Sequence, residues 1–323
     1  MLFRSTLTVS SQKGVDLNFT SADLTLSLQD FTKRIIEPAM AVLTANIEAD
    51  AFSMLNDVYP VVNGIGSAIT FKNVLSGRKS LNDYLTPMDD RRTCILNTQD
   101  NVDLVDTLKG LFQDSGAIKE QYKEGMMGRT AGFDFYESTL VPTSTTGTAP
   151  SATLYTVNGA NQTGSTIAIQ VGATTFAVGD VITFAGCNRC HPETKADTGV
   201  AQQFVVTAAY AGGAGNISIS PSIVTSGGTQ NVYASPTNGG AVTKVGGASA
   251  VYRPSVVFHE DAFTFATADL VMPDGVDFKS RQTLDGISIR IVRAYDINND
   301  KFPCRLDVLY GYKTLREIGR AHV

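Results

Sequence analysis

The chain has no tryptophan, three histidines, four cysteines and only 18% charged residues in a length of 323. Four cysteines in so long a chain do not make the disulfide framework of a small secreted domain. No apolar run approaches the roughly 20 residues of a membrane-spanning helix, and no charged–apolar–small pattern of a signal peptide opens the chain. The 26 basic and 31 acidic residues leave a net charge of −5, which argues against a nucleic-acid binder held by a basic surface. Hydrophobic residues, at 43%, are plentiful, which excludes wholesale disorder. The length allows two domains of ordinary size. The composition reads as soluble, cytoplasmic-type and multi-domain, and it points to no activity.

Charge is missing most conspicuously from the middle. Residues 144–252 carry only Arg189, Lys195, Lys244, Asp180, Glu193 and Asp197, yet hold 16 of the 29 glycines. A shift of this kind marks a domain boundary, and because both flanks differ from the middle it suggests one domain inserted into another. Within it, short apolar alternations recur at 166–171, 178–184, 203–207 and 216–220, each bounded by Gly, Asn, Pro or Asp. Such runs predict a small β-barrel or sandwich rather than a Gly/Thr-rich linker.

The flanks read differently. Leu7, Val9, Val15, Leu17 and Phe19 alternate with polar residues, so 6–19 is expected to be extended, with a bend at Gly14. From Ser27, spaced from Asp30 like a capping box, apolar residues recur at three- and four-residue intervals: Phe31, Ile35, Ala39, Val42, Leu43, Ile47, Ala51 and Leu55. They predict a long helix over 27–57, kinked or restarted at Pro38. Shorter helices are expected at 72–84 and 116–126, and strands at 93–96, 287–292 and 305–310. The fold class is therefore α+β, split by an all-β insert.

Candidate chemistry is thin. Cys187-Asn188-Arg189-Cys190-His191 has the C-x-x-C-H spacing of covalent haem attachment, but it lies in a β-rich stretch with no export signal. A zinc site wants about four ligands, and Cys94 and Cys304 are far off in sequence. The cysteines are read as ordinary loop residues. Asp296-Ile297-Asn298-Asn299-Asp300 opens like a calcium loop, yet Lys301 replaces the turn glycine and Asp307 stands at the twelfth position, so a hydrogen-bonded Asx turn is expected. Gly64-Ile65-Gly66 lacks the third glycine of a dinucleotide loop, because Ile69 stands there. His259-Glu260-Asp261 has no nucleophile motif beside it and reads as a surface polar triad. No catalytic, cofactor-binding or metal residue is assigned, and no enzyme emerges.

Longer strings carry a resemblance. The run from Val15 to Leu28, "NVLSGRKSLNDYLTPMDDRRTCILNT" (73–98), "EGMMGRTAGFDFYESTLVPTSTTGT" (124–148), "GDVITFAG" with "HPETKADTGVAQQFVV" (179–206), "FHEDAFTFATADLVMPDGV" (258–276) and "GISIRIVRAYDINNDKFPCRLDVLYGYKTLR" (286–316) resemble tailed-phage major coat proteins of the gene-five type. These are typified by the short-tailed enterobacterial phage whose coat carries a telokin-like inserted β-barrel. The resemblance implies the tailed-phage major capsid fold: an extended loop, a spine helix, and peripheral and axial domains. Mapped here, it implies an extended-loop strand at 6–19, the spine helix at 27–57, a core domain in two parts (6–143 and 253–316) and the inserted barrel at 144–252. It departs from the family pattern at Cys187 and Cys190, where small apolar residues are usual, and at Gly14, where a bulkier residue is expected.

The function so implied is a major capsid protein that self-assembles into the icosahedral shell around the double-stranded DNA of a tailed bacteriophage. Implied partners are further copies in pentamers and hexamers, a scaffolding protein, a portal at one vertex and packaged DNA held without sequence specificity; no membrane is involved. The implied location is the virion, after assembly in the host cytoplasm. Two other classes stay open: a β-rich adhesin or tail-associated module built on the Gly/Thr-rich middle, and a haem or redox protein built on Cys187 and Cys190. Residues 2–5 (Leu-Phe-Arg-Ser) and 317–323 (Glu-Ile-Gly-Arg-Ala-His-Val) match the translation of common sequencing adapters. Stretches 1–5 and 317–323 are therefore expected to be adapter-derived, with the natural start and the pairing partner of strand 6–19 lying upstream, and His322 is given no functional weight.

Overall fold

The computed structural model describes residues 6–20, 36–62, 65–108, 128–284, 286–315 and 320–322. In chain order the elements begin with β1 (Ser11–Thr20), α1 (Glu37–Ala51), a 3-10 segment (Phe52–Asp57), α2 (Phe71–Asp83), β2 (Arg92–Leu96) and α3 (Thr98–Leu108). Short strands β3 (Arg129–Thr130), β4 (Phe133–Glu137) and β5 (Ser144–Thr145) lead into β6 (Ala152–Val157), β7 (Gly164–Gln170), β8 (Val181–Cys190), β9 (Asp197–Val206), β10 (Gly215–Ile223) and β11 (Ala241–Lys244). The chain continues through β12 (Val251–Tyr252), β13 (Val256–His259), β14 (Phe263–Ala268), β15 (Phe278–Leu284), β16 (Ile287–Arg293), β17 (Lys301–Thr314) and β18 (Arg320–His322). The expected helix at 116–126, Phe31, Ile35, the Ser27/Asp30 box and Gly64 lie outside the described residues.

Contacts divide the chain into two compact units, one of residues up to Phe52 with Phe263–Leu315, the other of Ser53–Ala262 with the C-terminal strand. In the first, an antiparallel sheet runs β1-β17-β16-β15, with β14 also on β17. Strand β1 does not wait for a partner upstream of residue 6. It pairs with β17 over ten residues, from Ser11 opposite Tyr310 to Thr20 opposite Lys301. The two strands alternate in phase, placing Val15, Leu17 and Phe19 opposite Leu306, Cys304 and Phe302. One face is therefore continuously apolar, and α1 supplies Met40, Leu43 and Ile47 to the same clusters. Pairing with β17 fixes the register, because a one-residue slip would turn that face to water.

Helix α1 begins at Glu37 with Pro38 in its first turn, where its missing N–H costs no helical hydrogen bond; residues 27–35 of the expected helix lie outside the described residues, and 52–57 are a 3-10 segment. Val42, expected in the core, is 55% exposed, while Ala39 and Leu43 are buried. Strand β1 runs unbent through Gly14, whose role is close approach rather than a turn.

The second unit holds a mixed sheet, β18-β13-β2-β4-β3, with β2 and β4 parallel. Its core joins Val74 and Leu81 of α2, Leu104 of α3, Cys94, Leu96, Phe133 and Val257. Residues 320–322 form its edge strand: Ala321 is fully buried and the His322 N–H donates to the Pro60 carbonyl at 2.7 Å. Helix α3 starts where Asn97 accepts the Asp100 N–H (2.9 Å) and its own amide donates to the Asp100 carboxylate (2.7 Å), a reciprocal cap.

The same unit contains a closed six-stranded barrel, β10-β7-β6-β11-β8-β9. Alternation explains it. In β10, Ile217 and Ile219 point inward and are buried while their neighbours are not. Phe184 packs on Phe204 at 5.6 Å and Tyr155 on Phe176 at 5.3 Å between ring centroids. The run at 178–184 enters its strand only at Val181; Ala177–Asp180 is a turn, closed by the Asp180 carboxylate accepting the Ala177 N–H (2.9 Å), and Val178 is exposed. Beneath the barrel, Thr145 pairs with Val251 and Ser144 with Tyr252, so the chain enters and leaves side by side.

Candidate functional site

The structure scatters the sequence candidates that fall among the described residues. Cys187 and Cys190 are on strand β8, not in a loop. Cys187 belongs to the barrel core, and burial pushes its thiol up to about 12. Cys190 donates to the Gln230 carbonyl at 3.4 Å, and burial raises its thiol as well. His191 Nδ1 accepts the N–H groups of Glu193 and Thr194 (both 3.3 Å), which shapes the turn into β9. Cys94 and Cys304 are buried in separate cores. All four cysteines are free thiols, and among the described residues no group of three His, Cys, Asp or Glu is placed to hold a metal ion.

Asp296–Asp300 is the hairpin turn between β16 and β17. The Asp296 carboxylate accepts the Asn298 N–H (3.1 Å) and the Asn299 side-chain amide (2.8 Å), so its oxygens serve the turn. His259 departs from the surface reading: it is 2% exposed. Its Nδ1 accepts the Asp261 N–H at 3.2 Å, which makes Nε2 the protonated nitrogen facing Asp89 at 3.0 Å. Burial works to raise the Asp89 carboxyl, but hydrogen bonds from Arg91 and His259 outweigh it and leave the group below its usual range.

Three polar constructions carry no local signature in the sequence. The first lies on the face of the first unit's sheet opposite α1. Asp307 is fully buried and takes a two-pronged contact from Arg290 (Nε 2.9 Å, Nη2 2.6 Å), with Gln12 (2.8 Å) and Arg305 (3.3 Å) completing its shell. Gly14 stands directly opposite Asp307 in the register, and its missing side chain leaves room for this shell.

The second is at the root of the barrel. Asp180 accepts the Gly147 N–H (3.0 Å), and Lys244 donates to the carbonyls of Gly147 and Gly247 (both 2.9 Å), so one buried pair ties the entering chain to the leaving one. Burial raises Asp180 and lowers Lys244, each favouring its neutral form, and their mutual attraction opposes both shifts. The third joins barrel to α2: Arg189 of β8 reaches Asp83 at 3.0 Å and lies 4.7 Å over the Tyr84 ring.

A 360 Å³ cavity in the second unit is lined in part by Asn97, Asp100, Tyr252 and Arg253. Asp100 is raised by burial, although Ser255 (2.5 Å) and Asn97 donate to it, and these bonds tie α3 to the segment before β13.

Each of these polar groups binds the protein's own strands, turns or helix ends. They hold together an α+β body that carries a closed six-stranded barrel. The chain belongs to the family described as "P22 coat protein - gene protein 5", whose sequence model matches residues 4–319. Similar solved structures include a chain from Mycobacterium phage Che8 (12% identity, TM-score 0.46, covering 98% of this chain and 71% of that one). Others are the capsid of Cyanophage P-SCSP1u (10%, TM-score 0.44, 100% and 76%) and the mature capsid of bacteriophage PhiM1 (11%, TM-score 0.43, 100% and 75%). A comparison with curated proteins gives no match. The chain is a major capsid protein and its place is the virion. The family match runs through the helices and strands outside the barrel, which the adhesin and haem readings leave unexplained.

Proposed function

We propose that this capsid protein builds the pentamers and hexamers of an icosahedral shell enclosing the double-stranded DNA of a tailed bacteriophage. Assembly takes place in the bacterial cytoplasm with a scaffolding protein, a portal occupies one vertex, and residues 144–252 are the telokin-like inserted domain of this family. The observation that carries the reading is the family match over 4–319, which spans all but the ends of the chain. The net charge of −5 supports a wall that encloses DNA without gripping it. The role is structural rather than enzymatic. The test is co-expression with and without a scaffolding protein of the same family of phages, followed by sedimentation. Fast-sedimenting closed particles that require the scaffolding protein are expected; the same slow monomer in both arms would overturn the proposal.

A further inference from the structure

Two hydrophobic cores of the second unit meet at a seam. The barrel core and the core under α2 are separate clusters, and cavities of 340 and 320 Å³ lie along the seam beside Arg189. Both cavities open to solvent, so they interrupt apolar contact along that line. The chain connection is a pair of two-residue strands, β5 and β12, which acts as a narrow stem. Polar ties cross the seam between these cavities.

Those ties converge from neighbouring strands. On β9, the Gln203 side chain accepts the Val61 N–H (2.8 Å) and donates to the Val61 carbonyl (3.2 Å), a side chain imitating a β-ladder pair. On β8, the Arg189 side chain is only 12% exposed, with Nη2 on Asp83 and its guanidinium carbon over the Tyr84 ring. Tyr84 is braced edge-on by Tyr59 at 6.0 Å. Asp83 ends α2, where the helix dipole disfavours a negative charge, so Arg189 together with Lys79 (2.8 Å) compensates a local electrostatic conflict. Among the described residues, the buried Arg189 Nε has no hydrogen-bond partner. The guanidinium is thus held by the Asp83 carboxylate and by the Tyr84 side chain.

We propose that Arg189 is a positioning residue that sets the direction in which the barrel is held on the coat-protein body. A planar, forked cation can meet a carboxylate with its edge and an aromatic ring with its face at once; a lysine ammonium has no plane to stack. Through Arg189 every copy of the chain presents the same barrel surface at the same place, as a repeating assembly requires.

The test uses the full chain with spin labels on Tyr233→Cys of the barrel and Leu75→Cys of α2, both exposed positions, the native thiols being buried. With Arg189 present, the distance distribution is expected to be single and narrow. Arg189→Met should widen it about twofold and speed exchange of the Val61 N–H about tenfold, with barrel-core amides unchanged. Arg189→Lys should fall between, and Asp83→Asn should follow Arg189→Met should that variant not fold. An unchanged distribution in both Arg189→Met and Asp83→Asn would overturn the proposal. So would parallel loss of protection throughout β6, β7 and β10, because Arg189 would then support the barrel's fold and not its direction.

Discussion

Gly14→Ala is the smallest change that probes how β1 is held on β17. An added Cβ would stand 2.9 Å from Asp307 Cβ, 2.9 Å from the Leu306 carbonyl oxygen and 3.2 Å from Arg305 Nε. The carbonyl is backbone, so no rotamer change relieves that contact, and the strands must part by a few tenths of an ångström. Overpacking of this kind costs about 1–3 kcal/mol. Moving Asp307 also stretches its bonds to Arg290 and Gln12, and hydrogen bonds to charged groups contribute about 1.5–3 kcal/mol each, of which a fraction is lost. Against this, alanine lowers the entropy of the unfolded chain by about 0.4–1 kcal/mol. The net loss is about 2 kcal/mol, roughly a thirtyfold change in an opening equilibrium. Two compact units make whole-chain denaturation an ambiguous readout, so amide exchange of β1 and β17 is the better assay. Gly14→Ala should accelerate those amides about thirtyfold, while Asn18→Ala, an exposed position farther along the strand, should leave them nearly unchanged. Exchange that is unaltered or slower in Gly14→Ala would refute the close-approach argument.

Residues 144–252 expressed alone should give a β-sheet circular dichroism spectrum and one cooperative melt, because the barrel core lies wholly between Ala149 and Val242 and the two ends pair through β5 and β12; a random-coil spectrum would contradict this. The folded chain should react with a thiol reagent only slowly and release its four thiols on unfolding, and Cys187→Ala should cost about 1 kcal/mol; fast labelling or stoichiometric zinc would count against it. Lys13 (2.7 Å) and the Tyr310 hydroxyl (2.5 Å) hold the Asp50 carboxyl below 3.8. Its contribution is therefore present above that unfolded value and lost as pH falls through the lowered folded one. Asp50→Asn should flatten the acid limb of stability measured below about pH 4, and identical slopes in both proteins would refute the assignment.

What could be read from the sequence was what local period dictates. The alternation at 166–171, 203–207 and 216–220 corresponds to β7, β9 and β10, and the helix expected at 72–84 is α2 within one residue at each end. The Asx turn at Asp296 was legible because its partners lie within three residues. Helix α3 was missed although Asn97 and Asp100 carry its cap in plain spacing. The rest depends on partners far along the chain. Asp307 reads as a polar position in an alternating strand, and only Arg290 and Gln12 across the sheet make its burial tolerable. His259 reads as surface until Asp89, 170 residues away, meets its ring. Arg189 lay inside a motif that suggested cysteine chemistry, and its use is set by Asp83 and Tyr84. Capsid identity came from long strings, since a protein that works through surfaces has no compact motif to find.

The central claim is that this chain is the repeating unit of a phage shell, and electron cryomicroscopy of particles assembled from it tests that most directly. The account predicts closed shells whose repeating density holds the β1-β17-β16-β15 sheet under α1 and, in every copy, one six-stranded barrel joined beside α2. Particles whose wall density cannot contain this fold, or a chain that stays monomeric beside a scaffolding protein that assembles other coat proteins of the family, would contradict it.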